Sequence, residues 1–331
     1  MLVKVGTALL AVAVGVLGAM LLFWLLNKLV ELLPGKWEHR IKPFAFLAPA
    51  LAAITLMLLY PAVLTINYSF LNASGNAAIG LSNYTSLFHD PDFLTSLVNN
   101  LLWIVFVPAL VVAFGLLVAI LADRLTSTAE KVAKSLIFLP MAISMVGASV
   151  IWTLIYSYVP WDPNNPAPQI GLLNEIVVRL GGTPQSWLQI STAKLNTFML
   201  MIVYIWLQVG YAMVLLSAAI KAVPDDTIEA GRIDGASEPR IFFRIIVPQA
   251  WPTVITVFIT VLIGVMKVFD IVYVMTNGQF HTDVIGNYFY QQMFTNLDQG
   301  KASAVVVVLM IAIIPVMVYQ VRQFRLQEES R

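Results

Sequence analysis

The chain contains no cysteine, which excludes disulfides, thiolate nucleophiles and Cys-ligated metals. Charge is scarce as well: 11% of residues are Asp, Glu, Lys or Arg, against roughly 25% in a soluble domain. The three histidines, His39, His89 and His281, are isolated in expected loops and make no metal-ligand spacing. No metal site is expected. A Gly-x-x-x-x-Gly-Lys-Ser/Thr phosphate loop is missing too; the Gly-Lys pairs at Gly35 and Gly300 lack both the preceding glycine and the following hydroxyl. The chain cannot hold ATP in that manner. Its net charge of +1 is not gathered in a patch, so no nucleic-acid surface is expected.

What the chain has instead is apolar length. Hydrophobic residues make up 59%, and runs near the roughly 20 residues needed to cross a bilayer lie at Thr7 to Leu33, Phe44 to Ile66, Leu97 to Ala122, Leu136 to Tyr158, Asn196 to Ile220, Thr253 to Met275 and Ala302 to Val321. The expected fold is an all-α membrane protein of seven transmembrane helices. The first run is too long for a signal peptide and is followed by no small-residue cleavage pattern, so it reads as an uncleaved anchor.

Lys and Arg are distributed unequally between the connections. One set carries Lys36, Arg40, Lys42, Arg124, Lys131, Lys134, Lys221, Arg232, Arg240, Arg244, Arg322, Arg325 and Arg331; the opposite set carries only Lys4, Arg179, Lys194 and Lys301. The first set is expected in the cytoplasm, with the C-terminus inside and the N-terminus outside. The opposite connections include a stretch rich in Asn, Ser and Gly from Tyr68 to Ser96. A second, from Val159 to Lys194, carries Pro160, Pro163, Pro166, Pro168 and Pro184. Trp152, Trp161 and Trp187 are expected at the outer membrane interface and Trp37 and Trp251 at the inner one.

Between the fifth and sixth runs lies a polar interruption, Pro224-Asp225-Asp226-Thr227-Ile228-Glu229-Ala230-Gly231-Arg232-Ile233-Asp234-Gly235-Ala236. Its pattern predicts a helix-turn-helix. Asp226 is expected to cap a helix whose third residue is Glu229, and Gly235 to stop it. Ser237 is expected to cap a second helix with Pro239 in its first turn and an apolar face of Ile241, Phe242 and Ile245, ended by Pro248 and Pro252.

This stretch resembles the Glu-Ala-Ala loop of binding-protein-dependent ABC transporter permeases. Glu229, Ala230, Gly235, Ile245 and Pro248 fall on the loop's spacing, with Gly231 in place of its third residue, Ala, and Val247 in place of Leu. Further segments are similar to the carbohydrate branch, closest to the maltose and α-glucoside permeases. They include Tyr60-Pro61, Gly80-Leu81-Ser82-Asn83-Tyr84, Phe138-Leu139-Pro140-Met141-Ala142-Ile143-Ser144, Gly171-Leu172-Leu173-Asn174 and Lys267-Val268-Phe269-Asp270. One turn departs: Thr276-Asn277-Gly278-Gln279-Phe280 stands where those permeases usually carry Thr-Gly-Gly-Gly-Pro.

The resemblance implies a six-helix permease core over residues 44–322, with a coupling loop at 222–250. It implies an extra helix and cytoplasmic linker at 1–43 and a cytoplasmic tail at 323–331. It also implies that Glu229, Ala230, Gly231, Asp234 and Gly235 couple the chain to ATPase subunits, Glu229 meeting basic groups there and Gly235 permitting close backbone approach. The chain itself would be no enzyme: two cytoplasmic ATPase subunits would bind ATP and magnesium. A second, unlike permease subunit and an extracytoplasmic sugar-binding protein would complete an importer in a bacterial or archaeal cell membrane, surrounded by lipid.

Polar residues within the runs are candidates for the transport path. Tyr204, Gln208 and Tyr211 fall on one helix face, where an amide between two rings suits a sugar and equally suits a hydrogen bond between helices. Lys267 and Asp270, three residues apart, can pair with one another or meet substrate, and Gly264, one turn earlier, either leaves room beside them or serves close helix packing. Without the coupling-loop spacing, the same two charges would suit an ion relay in a secondary transporter. An intramembrane enzyme would need a catalytic dyad at membrane depth, and no catalytic residues are found. Within the importer reading, a polyol or glycerol phosphate is the alternative substrate, although a phosphate calls for more cations than Lys267.

Overall fold

The computed structural model describes residues 2–32, 34–162 and 167–329. Leu33, Pro163, Pro166 and Arg331 lie outside the described residues. Regular structure among the described residues is helical, apart from one isolated bridge between Leu71 and Ala78. Among the described residues, six helices are long and apolar enough to cross a membrane, and a bent pair makes up to seven.

The chain divides into two compact units, residues 1–67 and 68–331. In the first unit, α1 (Leu2–Glu31) is followed by α2 (Gly35–Tyr68, whose last residue belongs to the second unit). Both helices expose apolar side chains along their length, Leu10 at 67% and Met57 at 75% for example. A helix apolar on all sides has no polar face to turn to water and belongs in hydrocarbon. Phe23 of α1 stacks on Phe46 of α2 with centroids 5.8 Å apart. His39 lies within α2 and not in a loop.

The second unit begins with the short α3 (Ser82–Phe88) and the long α4 (Pro91–Asp123), started by Asp90, whose side chain accepts from the Asp92 amide at 3.0 Å. The expected span from Leu136 to Tyr158 is instead two helices, α5 (Ser127–Phe138, extended to Ala142 by a tighter turn) and α6 (Met145–Ile155), bent by 103°. Two residues account for the break. Pro140 brings no amide to the helix ladder, and the Ser144 hydroxyl accepts from the Gly147 amide at 3.1 Å, starting a new helix in a new direction.

After α7 (Leu172–Arg179) comes α8 (Leu195–Lys221), the core of the unit. It buries Leu200, Met201, Val203, Tyr204, Leu207, Met213 and Leu216 against α4 and against the later α10. Gly115 lets α4 approach closely, since a methyl there would come within 2.6 Å of the Ala212 Cβ. The expected Trp anchors separate in the structure. Trp152 packs edge-on against Trp206, and Trp187 donates its indole N–H to Asn174 at 2.9 Å, so both belong to packing. Trp37 and Trp251 remain more than half exposed.

Helix α9 (Asp225–Ile233) and α10 (Glu238–Met266) follow. Pro248 and Pro252 do not end a helix here; α10 runs through both. The reason is a wide turn over Phe242–Ile246 just ahead of Pro248. A proline ring collides with the carbonyl four residues earlier, here that of Arg244, and the wider winding moves that carbonyl aside. The same device precedes Pro61 in α2, at Thr55–Leu59. The expected span Thr253 to Met275 is likewise interrupted: α10 stops at Met266 and α11 (Asp270–Met275) begins after a break at Lys267, Val268 and Phe269. Short α12 (Ile285–Tyr290) leads to α13 (Gln299–Glu329), which continues as helix through the segment expected as a tail.

Candidate functional site

Two ends of the second unit carry polar structure, and α4 connects them, running from Asp90 to Asp123. At the Asp123 end sits the helix-turn-helix. No side chain caps α9: Pro224 occupies the cap position and Asp226 lies inside the first turn, beside Asp225. Those two carboxylates still favour this end through the helix dipole. Ser237 precedes α10 in extended conformation but makes no capping bond either.

The stop of α9 is as the sequence predicts. Gly235 has φ +77°, its amide donates to the Arg232 carbonyl at 3.0 Å, and the Ala236 amide donates to the Gly231 carbonyl at 3.0 Å. This paired closure requires a left-handed residue, which glycine supplies at little cost. No atom lies within 4 Å of a Cβ added at Gly235, so conformation, and no contact within the chain, explains glycine there. Gly231 is buried where the helices meet; its added Cβ would lie 2.8 Å from Ile245 Cδ1 and 3.5 Å from Ile241 Cγ1. Arg232 closes the turn from outside with a 2.8 Å bond to Glu238. Glu229, Ala230 and Asp234 are exposed, and Ile233 is 85% exposed. A rigid acidic knob with an uncovered isoleucine is thus presented to whatever lies beyond this end.

Beside it, charges from three helices converge. Lys134 of α5 bonds Asp123 of α4 at 2.7 Å and Glu130 at 2.6 Å, and also reaches the Ser217 hydroxyl of α8. Ser217 donates to Asp123 at 3.0 Å, and Lys221 pairs with Glu130. Sequence reasoning placed both lysines on this side without finding the network, because Asp123, Ser217 and Lys221 reach it from helices other than the one that carries Glu130 and Lys134.

The candidate path residues are only partly brought together. Tyr204 is 2% exposed, meets Trp103 edge-on with centroids 6.0 Å apart, and points its hydroxyl at Gly264. A methyl on Gly264 would stand 2.3 Å from that oxygen, so Gly264 makes room for Tyr204 and not for the Lys267 side chain. Gln208 and Tyr211 are half-buried. Lys267 and Asp270 form no ion pair among the described residues; the break in the helix separates them, and Lys267 is exposed. Phe269, within that break, stacks on Tyr273 at 5.0 Å and lies 5.3 Å from the Tyr290 ring.

At the opposite end the sequence singled out only the turn from Thr276 to Phe280, and not the residues packed around it. Asp90 accepts from Lys301 and from the Tyr288 hydroxyl, each at 2.7 Å. Asn99 donates to the carbonyls of His281 and Asp283 at 2.9 and 2.7 Å, Asn100 accepts from the Ile285 amide at 2.8 Å, and Asn196 donates to the Phe280 carbonyl at 2.8 Å. These asparagines fix a turn in which Asn277, Gly278, Phe280 and His281 are all left-handed. Glycine would be expected there, and Phe280 and His281 bear strain of about 1–2 kcal/mol each. The turn, α12 and the starts of α4 and α13 line an open polar cavity of 550 Å³. Burial pushes the Asp283 carboxyl on its wall up to about 6, Asp92 adding to the effect against hydrogen bonds from Asn287 and the Val284 amide.

Long apolar helices, with an acidic helix-turn-helix set between two of them, are those of a membrane-spanning protein. The chain belongs to the family described as binding-protein-dependent transport system inner membrane component, which matches residues 104–325. It is 45% identical over 329 residues to the alpha-glucoside transport system permease protein AglF of Rhizobium meliloti (strain 1021), covering 95% of this chain and 96% of that one. It is 44% identical over 286 residues to the osmoprotective compounds uptake permease protein GgtC of Synechocystis sp. (strain ATCC 27184 / PCC 6803 / Kazusa), covering 86% and 100%. Its fold matches a chain of a bacterial ABC transporter involved in the import of the acidic polysaccharide alginate, with TM-score 0.72 at 20% identity, over 87% of this chain and 98% of that one.

Proposed function

We propose that this chain is one permease subunit of an ATP-driven ABC importer that carries a sugar, an α-glucoside or another di- or oligosaccharide, into the cytoplasm. The observation that carries the reading is the helix-turn-helix of α9 and α10, closed by Gly235 and packed at Gly231, which presents Glu229, Asp234 and Ile233 outward. A protruding knob whose base is locked and whose tip has no partner is shaped to transmit force to another protein. The partners are two cytoplasmic ATPase subunits, which hold ATP and magnesium, a second and unlike permease, and an extracytoplasmic binding protein. The excess of Lys and Arg supports a cytoplasmic position for the knob and the C-terminus and an outer position for the N-terminus. AglF, named for alpha-glucoside transport and aligned over almost the whole chain, supports the substrate class.

ATP-driven closure of the ATPase pair would push on the knob, and the bonded junction of α4, α5 and α8 at Asp123, Lys134 and Ser217 would pass that push into the bundle as a rigid body. Affinity purification from the native membrane tests the reading. The wild-type chain is expected to bring down a nucleotide-binding subunit, and Glu229→Ala and Gly235→Asp are each expected to reduce its recovery. Solute transport by the wild-type chain with no ATPase attached would overturn the importer reading and favour ion coupling through Lys267 and Asp270.

A second reading within the same class follows from GgtC, named for uptake of osmoprotective compounds: a smaller polyhydroxylated solute as the cargo. Competition of unlabelled polyols and disaccharides for uptake by the complete assembly separates the two.

A further inference from the structure

The polar cavity at the Asp90 end is built unlike a surface irregularity. Asp283 and Gln292 on its wall are each only 8% exposed, and each leaves part of its polar end unbonded among the described residues and open to the cavity. Asp283 spends Oδ1 on the Val284 amide and on Asn287 Nδ2, leaving Oδ2. Gln292 accepts from Asn296 through Oε1 at 3.1 Å, leaving its two Nε2 protons. Held in place by their other bonds, these two groups offer a fixed acceptor and fixed donors to whatever fills the cavity. The wall adds the Lys301 ammonium, the amide of Gln291 and the ring of Phe280, 41% exposed.

The mixture identifies the occupant's chemistry. Lys301 already offsets Asp90, so Asp92 and Asp283 leave the wall unfavourable to an anion; the amide N–H groups of Gln291 and Gln292 are donors that a simple cation cannot use. Hydroxyl groups both donate and accept, and match a wall that does both. The ring of Phe280 offers an apolar platform for the C–H face of a pyranose. A volume of 550 Å³ falls within the roughly 300–1,000 Å³ of small-ligand sites.

We propose that this cavity is a saccharide-binding site, separate from the candidate path residues Tyr204, Gln208 and Tyr211 in the span, which holds a neutral sugar at the outer mouth before it enters the bundle. The inference rests on the sugar-importer reading above and deepens it. Its site would concentrate cargo released by the binding protein and would be saturable without that protein.

Saturation-transfer NMR on the complete assembly in nanodiscs, without the binding protein, tests the site with maltose, sucrose and trehalose as probes. At least one of the three is expected to give a signal, weakened about tenfold in apparent affinity by Gln292→Leu and by Asp283→Asn. Gln291→Ala, on the half-buried wall, provides a third variant if either of those fails to fold. A signal unchanged by all the variants that fold overturns the site. So does absence of any wild-type signal when the same assembly, given its binding protein, takes up one of these sugars. An assembly that takes up no sugar with binding protein and ATP present overturns the importer reading itself, and this inference with it.

Discussion

Lys301 and Asp90 meet at 2.7 Å although 211 positions separate them, and the same carboxylate oxygen accepts from the Tyr288 hydroxyl. This bond ties the start of α13 to the start of α4 and makes Tyr288 of α12 part of the joint. Burial disfavours the Asp90 charge, but the bonds from Lys301, Tyr288 and the Asp92 amide outweigh it and hold the carboxyl below its usual value. Lys301→Met is expected to destabilise the unit by about 1–3 kcal/mol, since it leaves a partly buried carboxylate short of its cation. Thermal unfolding of the purified chain measures the loss, and a double-mutant cycle with Asp90→Asn should show the two changes strongly non-additive.

Asp283 gives a pH dependence of opposite sign. Its carboxyl is raised to about 6 by burial, so between about 4 and 6 the folded chain holds a proton that the unfolded chain has lost, and stability falls as pH rises through that window. The full difference is on the order of 3 kcal/mol. Asp90, being lowered, weakens the fold only when pH drops below its unfolded value near 3.8. Melting temperature is therefore expected to be higher at pH 4.5 than at pH 7.5, and Asp283→Asn should flatten that difference. An unchanged pH profile in the variant would show that another group is responsible.

The apolar runs, the polar interruption and the stop at Gly235 were legible in the sequence because each depends on local chemistry: uninterrupted hydrophobicity, a charge-rich gap, a left-handed residue. The bend at Ser144, the unbroken passage of α10 through Pro248 and the break at Lys267 were not. A proline ends or kinks a helix unless the preceding turn widens, and the widening at Phe242–Ile246 leaves no mark in the sequence. The network at Lys134 and the cavity at Asp283 were hidden for a different reason. Their members come together only when α4, α5, α8 and α12 are packed, and residues such as Asp90, Asn99 and Asn196 look like ordinary span-end polar residues until a partner is known.

Gly231 and Gly235 are expected to respond differently to the same change. Gly231→Ala meets only the end of the Ile245 side chain, at 2.8 Å from Cδ1, which can rotate away, so ATPase recovery in pull-downs should stay near wild type. Gly231→Leu should force α9 from α10 and reduce it. Gly235→Ala meets no atom, but its φ of +77° disfavours any Cβ by about 1 kcal/mol. The helix-turn-helix should then loosen, read as faster amide exchange over Ile233, Gly231 and Ala236 with the rest of the bundle unaltered.

Gly264 and Tyr204 make the most selective test of packing inside the bundle. The Tyr204 hydroxyl occupies the space a side chain at 264 would need, with 2.3 Å to an added methyl, while the ring is held from behind by Trp103. Tyr204 therefore has little room to retreat, and Gly264→Ala should cost about 1–3 kcal/mol through overpacking. Removing the oxygen removes the collision, so Tyr204→Phe combined with Gly264→Ala should recover most of the lost melting temperature. A Gly264→Ala variant as stable as wild type would mean that α8 and α10 can separate at this level at no cost. The close approach would then have no part in fixing the pair, and Tyr204 would be free for a role in the path.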